Sequence, residues 1–132
     1  MIKTFIKHPK GLLFIDFDEG LALVDTGSTC SMINKDFYEN QPIQHEECSK
    51  EVKMTFTTSE EAASIVKMIK YPIGNNTTEC IINGGKIWQT MQWDDKVPVL
   101  LLGANFLKQN DVIIDYGREL IYINEAAVVE NI

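Results

Sequence analysis

Residues 21–33 read LALVDTGSTCSMI. Leu21, Ala22, Leu23 and Val24 run without a break into Asp25, Thr26, Gly27 and Ser28, and the chain turns apolar again at Met32 and Ile33. An apolar run without polar alternation is the pattern of a strand buried on both faces. A carboxylate at the end of such a strand is costly unless something satisfies it. Asp25 either caps a turn or is held there for chemistry.

The flanks repeat the strand pattern. Residues 12–17 (LLFIDF) precede the run across Asp18, Glu19 and Gly20, where Gly20 supplies the backbone freedom of a tight hairpin. Residues 2–6 predict a further short strand, ended by Pro9. Beyond the motif, residues 31–33 are extended, and Asn34 caps a short helical turn reaching Asn40, before Pro42. Residues 51–57 alternate, with Val52, Met54 and Phe56 on one face and Lys53, Thr55 and Thr57 on the other, the period of a half-exposed strand. Residues 63–71 form the return strand, and the EEAAS tract at 60–64 reads either as its turn or as a short helix. Gly74, Asn75 and Asn76 mark a turn, with strands predicted over 79–82 and 86–91 around Asn83, Gly84 and Gly85. Residues 97–102 (VPVLLL) make an apolar strand ending at Gly103. A short helix follows over 104–109, with Phe106 and Leu107 inward, and then a hairpin of residues 112–114 and 119–123 over Tyr116, Gly117 and Arg118. Many short strands, tight turns and one or two short helices predict an all-β domain over residues 1–124, with a tail at 125–132.

Composition narrows the function classes. The chain has 132 residues, 45% hydrophobic and 23% charged, enough for one domain with a modest core. Its net charge of −7 lacks the basic footprint of a nucleic-acid binder. Acidic pairs such as Glu46-Glu47 and Glu60-Glu61 read as solvated faces. No apolar run approaches the roughly 18 residues needed to cross a bilayer. His8, Pro9, Lys10 and Gly11 interrupt the first residues before the apolar core of a signal peptide forms. Cys30, Cys48 and Cys80 are an odd, widely spaced set without a CxxC, and His8 and His45 stand alone. Neither a metal site nor a disulfide framework is expected, and a reducing cytoplasm is the expected setting, with no cofactor and no nucleic-acid or membrane partner.

Three features stand in order along the chain: a strand ending in Asp-Thr-Gly, a polar-tipped hairpin, and an apolar strand ending in Leu-Leu-Gly that enters a short helix. In Leu23-Val24-Asp25-Thr26-Gly27-Ser28 and Leu101-Leu102-Gly103-Ala104-Asn105-Phe106-Leu107 the chain resembles the retropepsins. These are the single-domain aspartic proteases of retroviruses and mobile elements, with cellular and bacterial relatives. The resemblance spans residues 12–123. It implies a closed β-barrel with a flap hairpin and an aspartic endopeptidase acting on a peptide or protein substrate. Because the chain carries one such Asp, it also implies a homodimer with the site on its two-fold axis.

The resemblance also assigns roles. Asp25 is the catalytic carboxylate, and two of them brought together share a proton, so that one activates a water while the other donates to the substrate carbonyl. Thr26 turns its hydroxyl toward the partner chain's loop, Gly27 allows close backbone approach and substrate binding, and Ser28 bonds the outer oxygen of Asp25. Leu102 and Gly103 support the loop from beneath, Gly103 in a seat too tight for a side chain. Asp115-Tyr116-Gly117 looks like a second motif but lacks the Thr or Ser after Asp, and is read as turn chemistry.

The flap maps to residues 52–69, with its tip at Ser59, Glu60, Glu61 and Ala62. Asn83-Gly84-Gly85 is the rival placement, richer in glycine but closer to Gly103. Flaps of this family usually carry a tip glycine that permits closure, and this tip has none and two adjacent acids. It points either to basic substrates drawn by an acidic surface or to a catalytically inactive retropepsin-fold module for dimerisation or peptide binding. Cys30 is read as a small buried hydrophobe or as pocket lining, Trp88 and Trp93 as core or interface residues, and Met54 and Met68 as sheet packing.

Overall fold

The apolar runs meet in one sheet. The computed structural model describes residues 2–7, 12–17, 20–40, 46–54, 64–73, 76–92 and 94–124. Its strands are β1 (Ile2–Lys7), β2 (Leu13–Phe17), β3 (Gly20–Val24), β4 (Ser31–Asn34), β5 (Glu46–Met54), β6 (Ser64–Ile73), β7 (Asn76–Asn83), β8 (Leu100–Leu102), β9 (Ile113–Asp115) and β10 (Leu120–Tyr122). Three short helices accompany them, α1 (Lys35–Asn40), α2 (Ile87–Thr90) and α3 (Ala104–Gln109). The described chain is therefore all-β, with one helix more than expected. The strands pair in the order β5-β6-β7-β4-β8-β3-β2-β1-β10-β9. This order runs as an open ladder, and no closed barrel is found among the described residues. Among the described residues the ladder does not return on itself, because β5 pairs with β6 and the three-residue β9 pairs with β10.

Two apolar cores, one on each face of the central strands, explain why those strands lack polar alternation. Leu13, Ile15, Ala22, Val24, Ile33, Leu100 and Leu102 point to one face, where Phe106 of α3 and Ile121 and Ile123 of the C-terminal hairpin cover them. Phe14, Leu21, Leu23, Met32 and Leu101 point to the other, where Trp88 and Met91 cover them. Period two is present, but both of its phases are buried. Gly20, with φ +147°, opens β3 beside the Val99 side chain, a conformation that side chains rarely adopt.

The second core also accounts for a departure from the sequence pattern. Residues 86–91 predict a strand, but the structure has the helix α2 there. Trp88 and Met91, three apart, are the buried residues, whereas Ile87, Gln89 and Thr90 face solvent. That spacing is helical. The indole Nε1–H of Trp88 donates to Asn83 O at 2.9 Å, anchoring the helix to the end of β7. The strand predicted over 97–102 shortens to Leu100–Leu102 because Pro98 has no N–H to give the ladder. Val99 still joins both neighbours, donating to Leu21 O at 2.8 Å and accepting from Asn34 N at 2.9 Å.

Local chemistry sets the remaining boundaries. Asn34 Oδ1 accepts the Asp36 N–H at 3.1 Å, capping α1. At the far end of α3, Asp111 adopts φ +46°, Asp111 N–H reaches Lys108 O at 3.4 Å and Val112 N–H reaches Leu107 O at 3.0 Å. This pair of bonds is a Schellman ending. The buried Asn110 amide donates to Phe106 O at 2.9 Å and accepts from Asn124 Nδ2 at 3.0 Å, fastening the C-terminal hairpin to α3. Among the described residues no helix is long and apolar enough to cross a membrane. The expected flap tip at 59–62, Trp93 and the tail at 125–132 lie outside the described residues.

Candidate active site

Asp25 is the first residue past β3. The strand entering its loop, β3, and the strand leaving it, β4, do not pair with each other, since β8 lies between them. Leu23 and Val24 stand opposite Leu101 and Leu102 in a parallel pairing, and Met32 stands opposite Leu101 in an antiparallel one. Residues 25–30 therefore arch over the end of β8. Asp25 N–H donates to Leu102 O at 3.0 Å, Ser28 N–H to Asp25 O at 3.2 Å and Ala104 N–H to Ser28 O at 2.7 Å. These bonds carry the ladder past the strand ends and join the loop to the start of α3.

Gly103 lies directly beneath the arch. Its backbone, φ −93° and ψ −172°, is extended and open to any residue, so glycine is not there for conformational freedom. It is there for space. A Cβ at this position would run into Cys30 O and would lie 2.6 Å from Cys30 C and 2.8 Å from Ser28 O. Those obstacles are backbone and cannot swing aside. The fully buried Ser31 hydroxyl accepts the Gly103 N–H at 2.9 Å and donates to Asn105 Oδ1 at 2.7 Å, and Asn105 Nδ2 donates to Glu79 O at 2.8 Å. This chain of bonds ties β4, the β8–α3 junction and β7 together beneath the loop. Each polar atom it buries has a partner, which removes the cost of burying a serine.

The outer face is open. Asp25 is half-buried, and Thr26 and Gly27 are exposed. Asp25 Oδ1 accepts the Gly27 N–H at 3.0 Å, so the carboxylate does cap its own turn. Among the described residues, Oδ2 has no hydrogen-bond partner of its own. Gly27 has no positive φ, and a Cβ added to it would meet Asp25 Oδ1 at 3.4 Å, an ordinary contact. Nothing described within the chain requires glycine there. Ser28 differs from the role implied for it, because its hydroxyl donates to Cys30 O at 2.7 Å rather than to Asp25. The Cys30 carbonyl is wedged against Gly103 and takes the nearest donor.

Beside the carboxylate is a cavity of about 210 Å³, lined by Leu12, Leu13, Leu23, Val24, Asp25, Thr26, Met91 and Tyr116. Asp25 and Thr26 form its polar corner and the β2–β3 hairpin its apolar floor. Met91 and Tyr116 come from two distant parts of the chain. Sequence reasoning missed both, because Met91 falls in a segment read as a strand and Tyr116 in a turn. Asp115 does behave as a turn residue, its Oδ1 accepting the Arg118 N–H at 3.1 Å and its Oδ2 lying 3.7 Å from Arg118 Nε. The sequence also gives no sign of the Ser31–Asn105 pair, which joins only through the sheet. A wider hollow of about 300 Å³, lined by Lys70, Thr77, Glu79, Asn105 and Gln109, shares no residue with the Asp25 cavity.

Cys30 and Cys80 fill supporting positions. Cys80 stands opposite Ser31 in the sheet and is fully buried, and burial pushes its thiol up to about 12. It stays protonated at neutral pH and is no nucleophile. Cys30 is half-buried, packed against the Leu23 and Met91 cluster, and does not line the Asp25 cavity. The β5–β6 hairpin that carries the expected flap is antiparallel, with Met54 opposite Ser64 at the last described pair. The rival glycines, Gly84 and Gly85, lie instead in the bend leading into α2. No protein-family profile matches this chain, and comparison with curated proteins and with solved structures likewise yields no match.

Proposed function

We propose that the chain is one subunit of a homodimeric aspartic endopeptidase with a retropepsin-like fold. The observation that carries this reading is the Asp25 loop. It is braced from beneath by Gly103 and the Ser31–Asn105 bonds, and it presents a half-buried carboxylate, Thr26 and a sterically unneeded Gly27 outward. A second copy of the loop accounts for all three. Two Asp25 carboxylates across a two-fold axis hold one proton between them. The ionised one takes a proton from a bound water, whose oxygen attacks the scissile carbonyl carbon, while the protonated one donates to the carbonyl oxygen. Proton transfer to the amide nitrogen then lets the C–N bond break, and no covalent enzyme intermediate forms. Gly27 in this arrangement leaves room for the substrate backbone.

The test is cleavage of a peptide library at mildly acidic pH by the parent and by Asp25→Asn, with native mass recorded for both. The parent is expected to cleave as a dimer, and Asp25→Asn to remain dimeric while losing cleavage by at least about a thousandfold. Equal cleavage by Asp25→Asn contradicts the mechanism. The glycine-free tip at Ser59, Glu60, Glu61 and Ala62 favours a second reading, a catalytically inactive dimerisation or peptide-binding module. Tight peptide binding by the parent with no turnover from about pH 3 to 7 selects that reading.

A further inference from the structure

The Asp25 cavity is closed on one side by a residue that the Asp25 loop does not supply. Tyr116 follows β9, so the C-terminal hairpin carries its ring to a site formed otherwise by β2, β3 and the end of α2. Tyr116 is 60% exposed overall, yet it borders the same cavity as Asp25 and Thr26. Its backbone has little freedom to move away. Asp115, the residue before it, is bonded to the Arg118 N–H and paired with the Arg118 guanidinium, which fixes the turn. Asn110 and Asn124 fasten the hairpin to α3, and α3 follows directly on Gly103 under the Asp25 loop. Met91 also lines the cavity, and its unbranched thioether side chain adapts to what fills the space. The floor is Leu12, Leu13, Leu23 and Val24. At about 210 Å³, the space is smaller than a cleft for a whole drug-sized ligand and fits a single side chain.

We propose that Tyr116 is a specificity-determining residue: its ring walls the cavity beside Asp25 and sets the size of the apolar substrate side chain held next to the scissile bond. The inference rests on the peptidase reading above and adds a selection rule to it. A two-fold dimer holds two copies of the cavity, one for each side of the cleaved bond. A single change at Tyr116 therefore moves the preference at both flanking substrate positions together. Leu12, Leu13, Leu23, Val24 and Met91 make up most of the lining, so the side chain it receives is apolar. A negatively charged side chain there leaves its hydration behind beside the Asp25 carboxylate, without a partner.

The experiment compares the parent with Tyr116→Ala, Tyr116→Phe and Tyr116→Trp on peptides that vary only in the two residues flanking the cleaved bond, with dimer dissociation measured for each protein. Tyr116→Ala is expected to raise kcat/KM for Trp and Phe relative to Val by about tenfold at both positions. Tyr116→Trp is expected to shift the ratio the opposite way, and Tyr116→Phe to keep the parent's preference, with dimer dissociation unchanged throughout. An unchanged preference in Tyr116→Ala overturns the inference and leaves the peptidase reading standing. Weakened dimers with unchanged preference also overturn it, and assign the ring to the subunit interface. A parent that cleaves no peptide overturns the inference together with the peptidase reading.

Discussion

Gly103 and Gly27 sit on opposite sides of one loop, and they are glycines for different reasons. Beneath the loop, a Cβ on Gly103 would strike the backbone of Cys30 and Ser28. On the exposed face, a Cβ on Gly27 would meet only Asp25 Oδ1, at an ordinary distance. The underside is explained by the chain itself, whereas nothing described within the chain explains the glycine on the outer face. A packing constraint is complete within the fold. A functional constraint shows as a residue whose identity the fold does not use.

Separating the two sides experimentally gives a graded series. The largest effect is expected from Gly103→Ala. The new methyl forces backbone apart under the loop, costing about 3 kcal/mol or more, and cleavage falls with the folded fraction. Urea unfolding checks it, and a change below about 1 kcal/mol would mean that the arch is not packed as described. Gly27→Ala is expected to invert the pattern. Stability stays the same or rises by up to about 1 kcal/mol, because the unfolded chain loses freedom, while cleavage falls by about a hundredfold as the substrate backbone is displaced. Parallel melting and kinetic assays measure this, and unimpaired cleavage would remove the outer face from the site.

The smallest effect in the series belongs to the buried bonds. Asn105→Ala leaves the Ser31 hydroxyl hydrogen without its acceptor and removes the side-chain donor to Glu79 O, and is expected to cost about 1–3 kcal/mol. Combined with Ser31→Ala, it should show a coupling of about 1 kcal/mol in a double-mutant cycle, since both residues belong to one network. Additive losses would show that the two act separately and that the loop is braced by Gly103 alone.

Much of this arrangement was legible in the residues, within limits set by distance along the chain. Apolar runs and turn residues mark β2, β3, β4 and α3, because their cause is local: burial on both faces, Gly20 and Asn34. The Asp25-Thr26-Gly27-Ser28 and Leu101-Leu102-Gly103 motifs mark the two halves of the loop's seat. Their parallel contact is not local, and no pattern within either segment announces that Val24 lies opposite Leu102. Residues 86–91 mislead because Trp88 and Met91 are spaced for a helix in a stretch too short for periodicity to decide. The Ser31–Asn105 bond and the place of Tyr116 beside Asp25 exist only once the sheet has assembled. The turn reading of Asp115 describes its chemistry correctly and still hides what its neighbour borders.

The central claim is that two Asp25 carboxylates make one site, and subunit mixing tests it most directly. Parent and Asp25→Asn chains are unfolded together, refolded at equal amounts and fixed total concentration, and assayed on a peptide that the parent cleaves. If the site needs an Asp25 from each chain, only parent–parent dimers cut, and activity falls to about one quarter of the unmixed parent. Activity of about one half, in proportion to the parent chains present, would mean that each chain acts alone and would contradict the account.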